Sequence, residues 1–218
     1  MTFMQIESIE IRNYHVFRNA VFKNLPKLTV LIGANGTGKS TLSDVFSFLK
    51  DALTHNVGKA VGKRGGFREL VSRGAAGPIT LTFKFRETGG RLATYELAIT
   101  NDGGKPVVER EVLKFRRGQR GKPWHFVDFS RGKGAAITNE AAYGEPGARE
   151  ARKEYALDEP DILAIKGLGQ FKEFRVVSEF RNLIENWHIS DFHIAAARPS
   201  EDEGCAEGVS GRRAAAGR

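Results

Sequence analysis

The sequence contains one cysteine, Cys205, in 218 residues. A single thiol excludes an internal disulfide framework, and zinc ligation through sulfur would need several thiols or a Cys/His cluster that is absent. His188 and His193 are too few for a metal centre and have no third ligand near them in the sequence, so both are interpreted as core or surface histidines. Any metal in this protein is therefore expected on oxygen ligands.

Long hydrophobic runs are also absent. No apolar run approaches the roughly 20 residues that a membrane-spanning helix needs. The opening residues, from Met1 to Glu7, carry neither the basic region nor the apolar region of a signal peptide. We therefore expect a cytoplasmic chain without a membrane partner.

The overall composition is that of an ordinary globular protein. Hydrophobic residues make up 40% of the chain and charged residues 28%, far from the low hydrophobicity of disordered chains. One domain is expected over residues 1–200. Residues 201–218 are rich in Gly, Ala and Arg without an apolar period, which predicts a disordered or aberrant tail. The change after about Pro199 raises the hypothesis of a truncated or frameshifted product, which the downstream reading frames would test.

Positive charge is concentrated in one stretch of the sequence. The formal net charge is +8, and the stretch from Lys105 to Lys133 holds nine basic residues against three acidic ones. Such a stretch fits DNA binding through phosphate neutralisation, but a solvated strand face has the same composition, and we favour the second interpretation. Aromatic residues in the stretch fit base stacking or, as we prefer, the core: Trp124, Phe126 and Phe129.

The first fifty residues indicate strands followed by a helix. Alternation around Ile9 and Ile11 and a second run at Val21 predict two strands joined by a turn within residues 13–19. The continuous apolar run at residues 28–32 is typical of a strand buried on both faces. One amphipathic helical stripe then follows: Leu42, Val45, Phe46, Leu49 and Leu53.

The middle of the chain changes to a period of two. Residues 56–77 are rich in Gly, Lys and Arg and are expected to form a basic, mobile connection. Alternating apolar residues separated by Gly-rich turns then predict an antiparallel β-meander over about residues 78–130. Residues 132–159 are expected to be a loop with a short helix at 148–155. Helical spacing returns over residues 171–187, and residues 189–194 are expected to begin a strand.

Between the apolar run and the first helix lies a glycine loop with the residues of a P-loop. Its backbone N–H groups are expected to surround phosphates, since glycine leaves room for close approach. Lys39 would reach the terminal phosphates, the Ser40 hydroxyl would ligate Mg²⁺, and Thr41 would add a phosphate contact. The cofactors expected are ATP and Mg²⁺. The cofactor-binding residues expected are Gly33, Ala34, Asn35, Gly36, Thr37, Gly38, Lys39, Ser40 and Thr41.

This loop, preceded by an N-terminal β-hairpin, resembles the ATP-binding heads of the ABC superfamily. The similarity is to the RecF, SMC and OLD-like branch, often described as AAA-type predicted ATPases, and the opening at residues 9–17 also resembles that branch. The resemblance implies an α/β P-loop NTPase fold, here the N-terminal lobe of an ABC ATPase head with the β-meander inserted. It also implies ATP hydrolysis in a homodimer that sandwiches the nucleotide.

Three further motifs of the ABC family have weaker counterparts. The resemblance makes Gln170 the Q-loop residue, which would assist catalysis with Lys39 and ligate Mg²⁺ with Ser40. Asp158-Glu159 superficially matches a Walker B end, but the residues before it are too charged for a buried central strand. Residues 209–211 lack the second glycine of the signature loop. We therefore expect no Walker B strand and no signature motif in this chain.

The leading hypothesis is an ATPase that acts on DNA in repair or defence, with hydrolysis requiring a complete second lobe or a partner. As it stands, the chain is expected to bind ATP weakly and to turn it over poorly or not at all. The alternative is a non-catalytic module in which the basic meander holds nucleic acid and the nucleotide stabilises the fold. A P-loop kinase acting on a small molecule is a third class, for which no acceptor-site or lid motif is found.

Overall fold

The computed structural model describes residues 4–115, 123–142, 145 and 147–187. The described residues up to Trp187 belong to one folded unit. Several expectations lie outside the described residues: those for Cys205, His188 and His193, for a strand at 189–194, for the signature-like residues 209–211 and for a tail at 201–218.

Among the residues that the structure describes, eight strands form one antiparallel sheet in the order β2-β1-β3-β4-β5-β6-β7-β8. After the first hairpin, each strand pairs with the next along the chain, so the sheet is a long meander. The strands are β1 (Gln5–Tyr14), β2 (Phe17–Lys23), β3 (Ile79–Arg86), β4 (Leu92–Asp102), β5 (Lys105–Phe115), β6 (Trp124–Ser130), β7 (Lys133–Ile137) and β8 (Arg152–Ala156).

Five helices within the described part of the chain accompany this sheet. The longest one follows the glycine loop directly, and the last two come after the sheet is complete. They are α1 (Lys39–Thr54), α2 (Val57–Gly62), α3 (Phe67–Leu70), α4 (Ala164–Leu168) and α5 (Arg175–Glu185). A single 3₁₀ turn, Glu140–Ala142, follows β7.

The core lies between one face of the sheet and these helices. Along β3 and β4 alternate residues are fully buried, as the period of two predicts. Aromatic rings make the contact between the layers: the Phe180 ring of α5 lies 4.6 Å from both the Phe85 and the Tyr95 rings, and Phe46 of α1 lies 5.8 Å from Phe83. The sheet and the helices packed on it, α1 and α5 among them, therefore share one continuous apolar interior.

Most sequence predictions of the elements are confirmed. The five residues of the predicted α1 stripe are all buried. The opening hairpin is present, with its turn between Tyr14 and Phe17, and β5 and β6 match the last two predicted strands of the meander. The core interpretation of Trp124, Phe126 and Phe129 is confirmed, since each is only 2% exposed.

The prediction of a strand buried on both faces at residues 28–32 is wrong. This segment has no regular secondary structure, and its apolar side chains face solvent. The exposed fractions are 81% for Leu28, 73% for Val30, 42% for Leu31 and 91% for Ile32. A strand of this kind needs neighbours on both edges, and the eight-stranded sheet of the described residues does not include it.

Two local predictions in the connections are also wrong. Residues 56–77 hold α2 and α3 rather than only a mobile connection, because Asn56 caps α2 through its side chain and Val57, Ala60 and Leu70 are buried. Residues 148–155 do not form a helix. They lead into β8, which pairs with β7 from Arg152 to Ala156. The Asp158-Glu159 dipeptide follows this largely exposed edge strand, in agreement with its rejection as a Walker B end.

Among the described residues, no helix is both long enough and apolar enough to cross a membrane.

The aromatic contact between α5 and the sheet yields a stability prediction. Phe180→Ala removes a fully buried ring that packs on Phe85 and Tyr95, so the free energy of unfolding should fall by about 3–5 kcal/mol. Phe171→Ala removes the same ring at a position that is 57% exposed, and its effect should stay within about 0.5 kcal/mol. Urea denaturation of both variants measures the difference. Equal losses would contradict this packing.

Candidate nucleotide-binding site

The P-loop residues lie in an exposed loop that ends where α1 begins. Residues 33–37 are exposed, and Gly38 and Lys39 are half-buried at the start of the helix. Gly36 has φ 81° and Gly38 has φ 97°. These left-handed conformations let the chain turn sharply into α1, and residues with a side chain adopt them at a cost. The two glycines thus direct the loop toward the helix N-terminus.

Side chains of the loop also hold it in a curled form. The Lys39 ammonium donates to the carbonyl oxygens of Gly33 and Ala34 at 2.6 and 2.7 Å. The Thr37 hydroxyl donates to the Ala34 carbonyl at 2.9 Å. The start and the end of the loop are therefore connected across its interior by the lysine.

The N-terminus of α1 contributes a positive electrostatic field. Lys39 is the first residue of the 16-residue α1, and the first turn contains no acidic residue. The N-terminus of an α-helix carries a partial positive charge and free N–H groups, which favour an anion. Ser40 is exposed and Thr41 is partly exposed in the same turn. The arrangement is therefore suited to several neighbouring negative charges.

The tip of the β1–β2 hairpin packs against the end of this loop. A methyl group built on Gly38 would lie 2.7 Å from the Phe17 ring and 3.2 Å from Val16 Cγ2. Phe17 in turn contacts Phe22 edge-on at 5.8 Å. The hairpin therefore fixes where the loop enters α1, and glycine at 38 is required by space as well as by φ.

A cavity of about 630 Å³ also lies beside the hairpin tip. Val16 lines it together with three arginines, Arg18, Arg64 and Arg73. The Arg18 guanidinium donates to the Arg73 carbonyl at 2.8 Å, which ties the hairpin to the segment after α3. Sequence reasoning missed this cavity because its far wall lies in residues 64–73, which were interpreted as a mobile connection.

Asp44 connects α1 to the end of β1 and to Arg64, which lines the cavity. Its carboxylate accepts the Tyr14 hydroxyl at 2.6 Å and Arg64 Nε at 2.8 Å. Arg64 also donates to Asp51 at 2.9 Å. Burial, with the bond to Asp44, raises the pKa of Tyr14, so the phenol remains a donor. Burial acts to raise the pKa of Asp51, but the hydrogen bonds from Lys63 and Arg64 outweigh it and lower that pKa.

Gln170 lies apart from the P-loop. Its side-chain amide donates to the Lys166 carbonyl, and the Lys166 ammonium contacts the carbonyls of Thr54 and His55 at the C-terminal end of α1. The P-loop is at the opposite end of this 16-residue helix, about 24 Å away at 1.5 Å per residue. The structure does not bring Gln170 to Ser40, and its role as a metal ligand stays a prediction.

Metal-binding side chains are sparse around the site. No group of three or more His, Cys, Asp or Glu residues capable of holding a metal ion occurs within the described part of the chain. The exposed Ser40 hydroxyl is a ligand type that Mg²⁺ accepts, and the remaining ligands in P-loop proteins include phosphate oxygens and water. The residues present therefore fit a Mg²⁺ ion that arrives with a nucleotide.

The basic stretch of the meander is largely neutralised where it is described. Four of its nine basic residues lie outside the described residues: Arg116, Arg117, Arg120 and Lys122. Three of the other five form ion pairs: Lys114 with Glu96, Arg110 with Asp128, and Arg131 with Asp102. This pairing agrees with the interpretation of the stretch as a solvated strand face.

The two loop glycines provide a matched pair of variants. Gly38→Ala introduces backbone strain of about 1–2 kcal/mol and a contact of 2.7 Å with Phe17. Gly36→Ala introduces comparable strain, but nothing lies within 4 Å of its methyl group. Thermal denaturation should therefore show a larger loss of Tm for Gly38→Ala. Equal losses in the two variants would contradict the packing of the hairpin against the loop.

Comparisons with known proteins agree with this geometry. The AAA ATPase domain family matches the chain over residues 4–184, a range that includes the loop, α1 and the whole sheet. A search of curated proteins finds no match to the chain. The family match supports ATP binding and ATPase activity in general. This chain belongs to the family of AAA ATPase domains.

Proposed function

We propose that this protein binds ATP with Mg²⁺ through residues 33–41 and serves as the nucleotide-binding part of an ATPase. The observation that carries the proposal is the curled glycine loop entering the N-terminus of α1, with the Lys39 ammonium turned into it. A polyphosphate needs many donors in a small space, and this loop offers main-chain N–H groups, one ammonium and the helix end.

Phosphate oxygens would replace carbonyl oxygens as the partners of Lys39. In the described conformation its ammonium donates to Gly33 and Ala34, which are neutral acceptors. A phosphate oxygen carries negative charge, so the ammonium gains a Coulomb attraction there that a neutral carbonyl oxygen does not offer. Lys39 would therefore move from the loop carbonyls to the β- and γ-phosphates, while Ser40 would offer its hydroxyl to Mg²⁺.

The cavity beside Val16 would receive the nucleoside end of the ligand. Asp44 lies about one helical turn after Thr41, on the same face of α1, and it faces Arg64 on the cavity wall. A nucleotide held by its phosphates at Ser40 and Thr41 therefore has the cavity as the neighbouring open volume. Its mixed lining of Val16, Val71 and arginines fits an aromatic base and a ribose.

Hydrolysis would need groups beyond those described at the loop. A Walker B carboxylate and a signature loop are expected from the resemblance to the RecF, SMC and OLD-like branch, and neither has a convincing counterpart in this sequence. The exposed apolar residues of 28–32 lead directly into the P-loop, which supports completion of the site by further apolar strands. We propose that a complementary lobe or a second copy in an ATP sandwich supplies these groups.

The same resemblance extends the proposal to DNA repair or defence. The net charge of +8 supports an attraction to phosphate backbones. The ion pairs of Lys114, Arg110 and Arg131 reduce the free positive charge on the described meander. DNA binding coupled to ATP is proposed on the resemblance and the net charge. The alternative of a purely nucleic-acid-binding module has less support, because it depends on free positive charge on the meander itself.

Removal of the loop ammonium tests nucleotide binding. Lys39→Ala should lower the affinity for Mg-ATP by about 10- to 150-fold, because at least one charge-assisted hydrogen bond, worth about 1.5–3 kcal/mol, is lost. The matched control is Lys50→Ala, which removes an exposed ammonium from the same helix, away from the loop, and should leave the affinity unchanged. Titration with a fluorescent ATP analogue measures both. Unchanged affinity in Lys39→Ala would refute the phosphate role.

A second experiment separates the ATPase from the binding-module alternative. Anisotropy of labelled duplex DNA, measured from 50 to 200 mM salt, should show binding that weakens with salt and changes by at least about threefold when Mg-ATP is added. The Lys39→Ala variant should lose the response to Mg-ATP but keep the salt dependence. If the DNA affinity of the unmodified chain does not change with Mg-ATP, the non-catalytic nucleic-acid-binding module is favoured. If the chain does not bind DNA, the DNA part of the proposal is wrong.

A further inference from the structure

The Glu111 carboxylate is buried in the interior between the sheet and the helices. Glu111 lies on β5, and its side chain is 0% exposed. Its neighbours along the strand on the same face are apolar, as the sheet register predicts. A charged carboxylate in such a place is costly unless it is paired or hydrogen-bonded.

Three donors from two other elements surround this carboxylate. The backbone N–H of Ala164 donates to Oε2 at 2.5 Å, that of Ile165 donates to Oε1 at 3.1 Å, and the Tyr95 hydroxyl donates to Oε1 at 3.0 Å. Among the described residues, Tyr95 is the titratable side chain that contacts Glu111, and no ammonium or guanidinium does so. Glu111 therefore joins β5, β4 and the first turn of α4 without a cation.

The next residue of α4, Lys166, is attached to α1. The Lys166 ammonium donates to the carbonyl of Thr54 at 3.2 Å and also to that of His55. The last turn of α1 has no basic residue of its own, so Lys166 supplies the cation that the negative helix end favours. Just before α4, the Asp161 carbonyl accepts the N–H of Val57 at 2.9 Å, which holds the corner after α1.

The ionisation of Glu111 affects how well this connection is held. Burial raises the pKa of Glu111 to about 7, although the hydrogen bonds from Ala164, Ile165 and Tyr95 act in the opposite direction. The folded protein then binds the proton more tightly than the unfolded chain, whose glutamates titrate near 4.3. Stability from this group is complete below the unfolded pKa, falls as pH rises, and is lost once pH passes the folded pKa.

We propose that α4 is a proton-sensitive strut, with Glu111 holding the N–H groups of Ala164 and Ile165 inside the core and the next residue, Lys166, holding the C-terminal end of α1. With a neutral Glu111 no charge is buried, and the strut stays closed. With an ionised Glu111 the three hydrogen bonds are stronger, but burial of a charge without a cation outweighs them, so the strut opens more often. The C-terminal end of α1 then opens with it, because Lys166 is its capping cation.

Hydrogen exchange at single amides tests the strut in the full chain without nucleotide, so its outcome is independent of ATP binding. The informative amides are those of Ala164 and Ile165, which donate to Glu111, and that of His55, which donates to Asp51 at the end of α1. From pH 5 to 7 their protection factors, corrected for intrinsic exchange, should fall by up to about tenfold per pH unit, and they should level off above pH 7.

Two variants identify the group responsible. Glu111→Gln keeps the shape and an acceptor but cannot ionise, so the fall with pH at these three amides should disappear. The matched control is Glu140→Gln. Glu140 is also nearly buried, accepts the N–H of Val176 at the start of α5, and has a pKa raised to about 7 by burial. It does not contact α4, so the fall at Ala164, Ile165 and His55 should remain.

Lys166→Met tests the link between the two helices. It should lower the protection of the His55 amide and remove the pH dependence of that protection, while the Ala164 and Ile165 amides keep their pH dependence.

If Glu111→Gln does not fold, Tyr95→Phe provides the second test. It removes one donor to the carboxylate, so the pH at which protection levels off should rise. A pH profile of Ala164 that is unchanged in Glu111→Gln or Tyr95→Phe overturns the proposal, as does a His55 profile that is unchanged in Lys166→Met.

Discussion

The attachment of α1 at both of its ends is the constraint on which the candidate site depends. At its N-terminus, Gly38 fits against the Phe17 ring with no room for a side chain. In its middle, one apolar face is buried and Asp44 binds Arg64. At its C-terminus, Lys166 caps the last carbonyls. A helix fixed at these points holds its free N–H groups in one direction, and a phosphate site requires that.

The antiparallel sheet provides the surface that fixes α1 and the later helices. Aromatic residues on its inner face contact α1 and α5, while polar residues on its outer face form ion pairs with one another. The two helices that follow the sheet have no side-chain cap from their own N-cap residues. Glu111 and Glu140 accept their first N–H groups instead. Glu111 and Glu140 thus accept N–H groups in the first turns of α4 and α5 that have no partner within the helix, and both carboxylates are buried as a result.

Local patterns were sufficient to predict the elements that have one solvent-exposed face and one buried face. The apolar stripe of α1 and the alternating apolar residues of β3 and β4 show this difference between the faces directly in the sequence. The glycine loop before α1 was predicted to bind phosphates for a similar reason, since phosphate chemistry requires these residue types at a fixed spacing, and that role stays a prediction. Its residues were identified as a group, and the structure shows that Lys39 and Thr37 hold them together.

Features that depend on distant partners were not predictable from local patterns. Residues 28–32 have the composition of a buried strand, but composition does not reveal whether neighbouring strands exist, and the described sheet has no place for them. Arg64 appeared to belong to a basic connection, because its carboxylate partners Asp44 and Asp51 lie 20 and 13 residues away. Glu111 appeared to be an ordinary polar strand residue, since its partners in α4 are more than fifty residues away.

The proposed function depends on the binding of a polyphosphate by the loop before α1. Isothermal titration calorimetry of the folded protein with Mg-ATP, followed by competition with inorganic tripolyphosphate and with adenosine, tests it most directly. Binding of the phosphates by the loop predicts heat on addition of Mg-ATP, displacement of Mg-ATP by tripolyphosphate, and weak or no displacement of Mg-ATP by adenosine. Absence of heat with Mg-ATP, or displacement by adenosine but not by tripolyphosphate, would contradict it.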